Sequence, residues 1–98
     1  MSTIRANPDD LDSVARELER IAENIENGRV ALGRAKEETM QAWQSRHTAR
    51  FCDSVERTRS RVDNCAQRVR AIAARLRSTA TNIRETERRV VALKRRGQ

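Results

Sequence analysis

The apolar residues of this chain form two long stripes in which spacings of three and four residues alternate, as on one face of an amphipathic helix. The second stripe keeps this alternation without a slip over about six heptads, which is typical of coiled-coil packing. The first stripe comprises Leu11, Val14, Leu18, Ile21, Ile25, Gly28, Leu32 and Ala35, and the second Phe51, Val55, Thr58, Val62, Cys65, Val69, Ile72, Leu76, Thr79, Ile83, Thr86, Val90 and Leu93.

The two stripes lose phase between Met40 and Phe51, a segment that holds the only Trp and the only His of the chain. We interpret it as the bend of a helical hairpin, with helix one at about 8–41, a turn at about 42–45 and helix two at about 46–93. Trp43 closes the first arm, and Ser45 is a suitable N-cap for the second because its hydroxyl can accept a bond from an unpaired backbone N–H.

The start of helix one is signalled by Asn7-Pro8-Asp9-Asp10. Asn7 can cap, Pro8 has a helical φ, and the two Asp side chains complement the positive end of the helix dipole. Gly28 lies within the stripe, where the absence of a side chain lets a second helix approach closely. A tolerated soft spot in the helix explains Gly28 equally well.

The composition favours an all-α protein with a single domain. Charged residues make up 36% and aromatic residues 2% of the 98 residues, whereas sheets favour aromatic and β-branched side chains. An antiparallel hairpin of this size buries little apolar surface, so we expect it to dimerise into a four-helix bundle. The predicted dimer seam consists of Leu11, Leu18, Ile21, Ile25, Val62, Val69, Ile72 and Leu76.

The net charge of +7 is unevenly distributed. Residues 1–49 carry seven basic and nine acidic side chains, and residues 50–98 carry fourteen basic and five acidic ones. A basic second helix can bind nucleic acid, an anionic membrane or an acidic protein. No apolar stretch is long enough to span a membrane, and the first residues lack the apolar core of a cleavable signal peptide.

Chemistry-bearing residues are sparse. Cys52 and Cys65 lie thirteen residues apart on one predicted helix, about 20 Å along its axis, which excludes a bond between them. We interpret Cys65 as a core residue and His47 as a surface residue. No paired carboxylates, nucleophile motif, metal-ligand spacing or phosphate loop is present, so we expect no catalytic or metal site, no cofactor and no small-molecule substrate.

The layout as a whole resembles the WXG family, the small type VII secretion substrates related to the early secreted antigenic target of mycobacteria. The family's Trp-Xaa-Gly turn corresponds to Trp43-Gln44-Ser45, with Ser45 in place of Gly. Its Tyr-Xaa-Xaa-Xaa-Asp/Glu secretion signal corresponds to the segment from Ile83 to Glu87, with Ile83 in place of Tyr.

The resemblance implies a non-enzymatic, leaderless protein that is cytoplasmic before export and then secreted without a signal peptide. Its implied partners are the type VII secretion ATPase and either a second copy or a related, more acidic protein. Because Ile83 replaces the signal Tyr, we expect co-export with a partner that supplies the signal.

Two alternatives belong to other classes. The first is a helical nucleic-acid-binding protein, although no binding motif is present and no aromatic residues interleave the arginines for base stacking. The second is a cytoplasmic adaptor or scaffold with the same hairpin and no export. The nucleic-acid alternative would use Arg57, Arg59, Arg61, Arg68, Arg70, Arg75 and Arg77.

Overall fold

The computed structural model describes residues 7–43 and 46–97, which form two α-helices, α1 (Pro8–Ala42) and α2 (Arg46–Arg96). The helices pack antiparallel along their length in a molecule measuring 81 × 26 × 15 Å. The predicted all-α hairpin is therefore confirmed. Within the described residues, neither helix has a segment long and apolar enough to cross a membrane.

Hydrogen bonds cap the start of α1 and join the two helices at the bend. At the start of α1, the Asn7 side chain accepts from the Asp9 N–H at 2.9 Å, as the capping pattern predicted. Near the bend, the Trp43 N–H donates to the Thr39 carbonyl, and the buried Thr48 hydroxyl donates to the Trp43 carbonyl at 2.7 Å. Ser45, the predicted cap of α2, lies outside the described residues.

Helix α2 continues to Arg96, whereas the predicted second helix ends at about residue 93. Three cations in the last turn stabilise the negative end of the helix dipole, and no Gly or Pro interrupts the helix before Gly97. Arg84 forms ion pairs with Asp9 and Asp12 in the first turns of α1. The last two turns of α2 therefore project beyond α1, and Val90, Val91 and Leu93 are exposed there.

The two helices meet along a row of alanines, which we call the hairpin seam. Its members recur every seven residues and are at most 1% exposed, and half-buried Leu, Ile and Val side chains line the row. Alanine at these positions allows the two backbones to approach closely, so the hairpin closes with a narrow contact. The seam consists of Ala15 and Ala22 in α1 and Ala66, Ala73 and Ala80 in α2.

The two cysteines are free, as their spacing predicted, but the placement of Cys65 in the core was wrong for the hairpin. Cys52 is buried on the seam at 8% exposure, and Cys65, which we expected in the core, is exposed. The physical reason is that the apolar stripes are wider than the contact between the helices. One edge of each stripe packs in the hairpin, and the other edge, which includes Cys65, faces outward.

Candidate functional site

The two flanks of the hairpin seam differ in chemistry. In an antiparallel pair of helices, positions that adjoin the seam on one side face their equivalents on the other helix, so each flank has a composition of its own. One flank carries ion pairs between the helices, and we call it the ion-pair flank. It comprises Asp12, Glu19, Glu26, Glu56, Asp63, Arg70, Arg77 and Arg84.

The ion-pair flank fixes how the helices are aligned. Arg84 binds Asp12 at 2.8 Å, Arg77 binds Glu19, and Arg70 binds Glu26 at 2.9 Å. Each step moves seven residues along both helices. Because these side chains are partly exposed, each pair adds little stability, but a displaced alignment would break all of them together.

Near the bend, cations replace alanine at the seam positions. Lys36 Nζ and Arg59 Nη1 each lie 2.8 Å from the same Glu56 carboxylate oxygen. Hydrogen bonds from Lys36 and Arg59 lower the pKa of Glu56 below its ordinary value of 4.5. The Arg59 guanidinium lies across Gly33, where a Cβ would stand 3.0 Å from Arg59 Cζ. In this half of the contact, ion pairs therefore add to the packing of Cys52 and Val55, which are each 8% exposed.

The opposite flank is apolar, and we call it the apolar flank. It combines the outer edges of both stripes and remains open in the chain by itself. Val14 is 48% exposed, Ile21 44%, Ile72 50% and Phe51 42%. The apolar flank comprises Val14, Ile21, Gly28 and Ala35 of α1 and Phe51, Thr58, Cys65, Ile72 and Thr79 of α2.

The threonines of the apolar flank present methyl groups rather than free hydroxyls. The Thr58 hydroxyl donates to the Ser54 carbonyl at 3.0 Å, and the Thr79 hydroxyl donates to the Arg75 carbonyl at 2.9 Å. Both bonds stay within α2 and satisfy the hydroxyl donor. Covering these residues with another helix would therefore leave no hydroxyl donor unpaired.

The predicted dimer-seam residues divide between the hairpin and the apolar flank. Leu11, Leu18, Ile25, Val62, Val69 and Leu76 are half-buried beside the hairpin seam, so much of their surface is already used inside the chain. Ile21 and Ile72 lie on the apolar flank and are exposed. The structure thus brings Ile21 and Ile72 to one open face and assigns the other six mainly to the hairpin.

At the bend, Trp43 does not close the end of the hairpin as a buried plug, because it is 51% exposed. Its ring stacks on His47 with centroids 6.5 Å apart and planes inclined by 22°. His47 is exposed, as expected. A shallow groove beside Trp43 is lined by Met40, Thr48 and Cys52.

Ile83 and Glu87, the residues that resemble a secretion signal, lie in different surroundings. Ile83 is half-buried next to Arg84, the residue that pairs with the first turns of α1. It therefore lies within the paired part of the hairpin and not on the projecting end. Glu87 is exposed and lies with Ile83 beside a shallow groove on α2.

The arginines considered for nucleic acid are not equivalent. Arg70 and Arg77 bind carboxylates of α1, and Arg59 binds Glu56, so their charges are already compensated in part. The other four, Arg57, Arg61, Arg68 and Arg75, are exposed, and none forms an ion pair within residues 7–43 and 46–97. Across the same described ranges, no cluster of His, Cys, Asp or Glu could hold a metal ion.

Sequence reasoning missed the alanine seam and the buried Thr48. The signal for the seam was present, since Ala66, Ala73 and Ala80 recur at heptad spacing, but larger apolar residues beside them dominated the pattern. Thr48 had no signal at all, because its bond to Trp43 depends on the path of the bend.

Comparisons with known proteins agree with this geometry. The family model WXG100, described as proteins of 100 residues with WXG, matches residues 3–88. A crystal structure of EsxA from Geobacillus thermodenitrificans has a similar fold, with a TM-score of 0.79 and 19% sequence identity over 91% of this chain and 97% of that one. A search of curated proteins found no match.

Proposed function

Because this chain belongs to the WXG100 family, we propose that it is a non-enzymatic type VII secretion substrate that works as a helical-bundle dimer. The observation that carries the proposal is the apolar flank, which a lone hairpin leaves open. Apolar side chains on a surface that runs along both helices favour association with another protein. Export of this chain then depends on the dimer.

A second hairpin is the partner that fits this face best. The apolar flank is long, straight and bordered by polar side chains, so an equally straight pair of helices can cover it and complete a four-helix bundle. The family gives a precedent for the monomer fold, since the EsxA hairpin superimposes along nearly all of the chain. The partner is a second copy of this chain or a related protein.

Ile83 and Glu87 are the residues we propose to contribute to recognition by the secretion ATPase. Glu87 is accessible on α2, close to where the helix projects beyond α1. Ile83 cannot supply a phenolic hydroxyl in place of the family's Tyr. We therefore propose that a partner with an intact signal assists export, and that this chain is exported with it.

The decisive experiment combines dimer formation with export. Ile21→Asp places a charge on the apolar flank without touching the hairpin seam, so the hairpin should stay helical while the dimer dissociates. We expect the wild-type protein in culture medium without a cytoplasmic lysis marker, and we expect Ile21→Asp to remain in the cells. Circular dichroism checks that the variant remains helical, and light scattering measures its association.

Val30→Asp is the matched control, because Val30 is 50% exposed on the same helix but lies away from the apolar flank. It should leave both association and export unchanged. If Ile21→Asp still dimerises, the apolar flank is not the interface. If the wild-type protein stays in cells that export other substrates, the chain is an adaptor rather than a secretion substrate.

A further inference from the structure

The side of α2 that is turned away from α1 is lined with arginines. In the heptad that the seam alanines define, the positions one, two and five residues after a seam position lie on the outside of the helix. We call the arginines at these positions the outer arginine face. All of them are exposed, and none forms an ion pair within residues 7–43 and 46–97. The outer arginine face consists of Arg46, Arg50, Arg57, Arg61, Arg68, Arg75, Arg88, Arg89, Arg95 and Arg96.

The charge of the outer arginine face is not balanced by its surroundings. At the same heptad positions of α2 the only acids are Asp53 and Glu85. The outside of α1 is instead rich in acids, so the hairpin has one cationic side and one side of mixed, mainly acidic character. The exposed charged residues on the outside of α1 include Asp10, Glu17, Glu23, Glu37 and Glu38 and the three arginines Arg16, Arg20 and Arg34.

The outer arginine face is long and stays accessible in the proposed dimer. From Arg46 to Arg96 it extends about 75 Å along a straight helix, at about 1.5 Å per residue. This length matches about two turns of a nucleic-acid duplex, each of about 34–36 Å. None of its members belongs to the apolar flank, so a second hairpin on that flank leaves the arginines on the outside of the bundle.

We propose that the outer arginine face binds the phosphate backbone of duplex nucleic acid. Guanidinium groups bind phosphate oxygens through two parallel hydrogen bonds, and their charge is retained at every physiological pH. Each phosphate that is neutralised releases counterions, so a row of unpaired arginines is sufficient for binding without contacts to the bases. The binding is therefore independent of base sequence. This function goes beyond the proposed role in secretion and does not depend on dimer formation.

The chemistry of the face favours a duplex over other anionic ligands. Single strands bind through stacking on aromatic rings, but Trp43 lies at the bend and Phe51 on the apolar flank. A helix that lies on a membrane inserts large apolar side chains, whereas the largest apolar residue on the outside of α2 is alanine. A duplex also presents phosphates continuously over the whole length of the face, whereas an acidic protein must place each carboxylate individually.

The test measures binding to a fluorescent duplex of about 24 base pairs, slightly longer than the face at about 3.4 Å per base pair. Fluorescence anisotropy gives the dissociation constant of the wild-type protein and of the variant Arg57→Gln, Arg68→Gln, Arg75→Gln at several salt concentrations. We expect the variant to bind at least about tenfold more weakly in about 0.1 M salt. The slope of log K against log salt should fall by about three, one for each phosphate contact that is lost. Gln is a good helix former, and circular dichroism checks that the variant remains helical.

The matched control is Arg16→Gln, Arg20→Gln, Arg34→Gln on the outside of α1, which changes the net charge equally. It should bind the duplex within about twofold of the wild-type protein, since charges beyond about 10 Å are screened in about 0.1 M salt. An equal loss of affinity in the two variants would overturn the assignment to the outer arginine face.

Three other results would refute the inference and leave the secretion proposal standing. The first is no binding of the duplex by the wild-type protein at about 0.1 mM protein in about 0.05 M salt, where nonspecific binding is strong. The second is binding to phosphatidylserine vesicles, lost in the α2 variant, without any binding to the duplex. The third is tighter binding to a single strand of the same length than to the duplex.

Discussion

The alanine seam can be tested sharply, because a buried and an exposed alanine are neighbours in α2. Ala73 is 1% exposed and faces α1, whereas its neighbour Ala74 is exposed. Replacing either with Leu adds the same three carbon atoms and hardly changes helix propensity. Any difference between the two variants must therefore come from the contact with α1.

The expected magnitude follows from the closeness of that contact. At Ala73 the added atoms have no space and must push the helices apart, and overpacking of this kind costs about 1–3 kcal/mol. For a domain of this size, each kcal/mol lowers the melting temperature by about 4–8 °C. Ala73→Leu should therefore melt at least several degrees below the wild-type protein, and Ala74→Leu should melt within about one degree of it.

Thermal unfolding followed by circular dichroism at 222 nm, a wavelength that reports helix content, measures both variants. The comparison is made in the Ile21→Asp background, so that changes in dimer formation do not enter the melting temperature. Equal melting temperatures for the two variants would refute the placement of Ala73 in the contact between α1 and α2. A larger loss for Ala74→Leu would mean that Ala74, and not Ala73, faces α1.

Three further predictions concern the two faces and the bend. Gly28→Ala should raise the melting temperature of the isolated hairpin, because a Cβ there meets nothing within 4 Å and Ala is about 1 kcal/mol more favourable than Gly in a helix. The same substitution should weaken the dimer if a partner helix packs on Gly28. A thiol reagent should label Cys65 much faster than Cys52 in the isolated hairpin, and dimerisation should protect Cys65, as mass spectrometry can follow. The stability contributed by the Glu56 carboxylate is present above its ordinary pKa of 4.5 and is lost as the pH falls through the lowered pKa of the folded state. Glu56→Gln should therefore destabilise the protein at neutral pH, with a deficit that shrinks in acid, and an unchanged deficit in denaturant titrations would contradict this account.

Much of the fold was predictable because it depends on local chemistry. Asn7 and Pro8 define the start of α1 through bonds that lie within one helical turn, and the structure shows the cap as predicted. The apolar stripes lose phase after Met40, and this local change of spacing likewise located the bend. The end of α2 was predicted at about residue 93, whereas the helix continues to Arg96, where the cations of its last turn stabilise it.

The division of each stripe into two edges could not be predicted from spacing alone. A stripe of alternating threes and fours shows which residues are apolar but not which neighbour covers them. Cys65 and Ile72 fit the pattern as well as Val69 and Leu76 do, yet the former pair faces outward and the latter pair lies beside the seam. The small size of Ala66 and Ala73 decides this, since the helices approach most closely where side chains are shortest.

Contact between the helices along the alanines also explains why the apolar flank is open in a single chain. If α1 and α2 met along the larger residues, Ile21 and Ile72 would be covered inside the hairpin and the outer surface would be polar. Closure on alanine instead leaves those residues exposed and directs carboxylates and guanidinium groups to the opposite flank, where they pair within the chain. The hairpin thus forms ion pairs between its own helices on one flank and leaves apolar side chains exposed to solvent on the other. A second hairpin can therefore add to it on the apolar flank without disturbing the ion pairs that align α1 with α2.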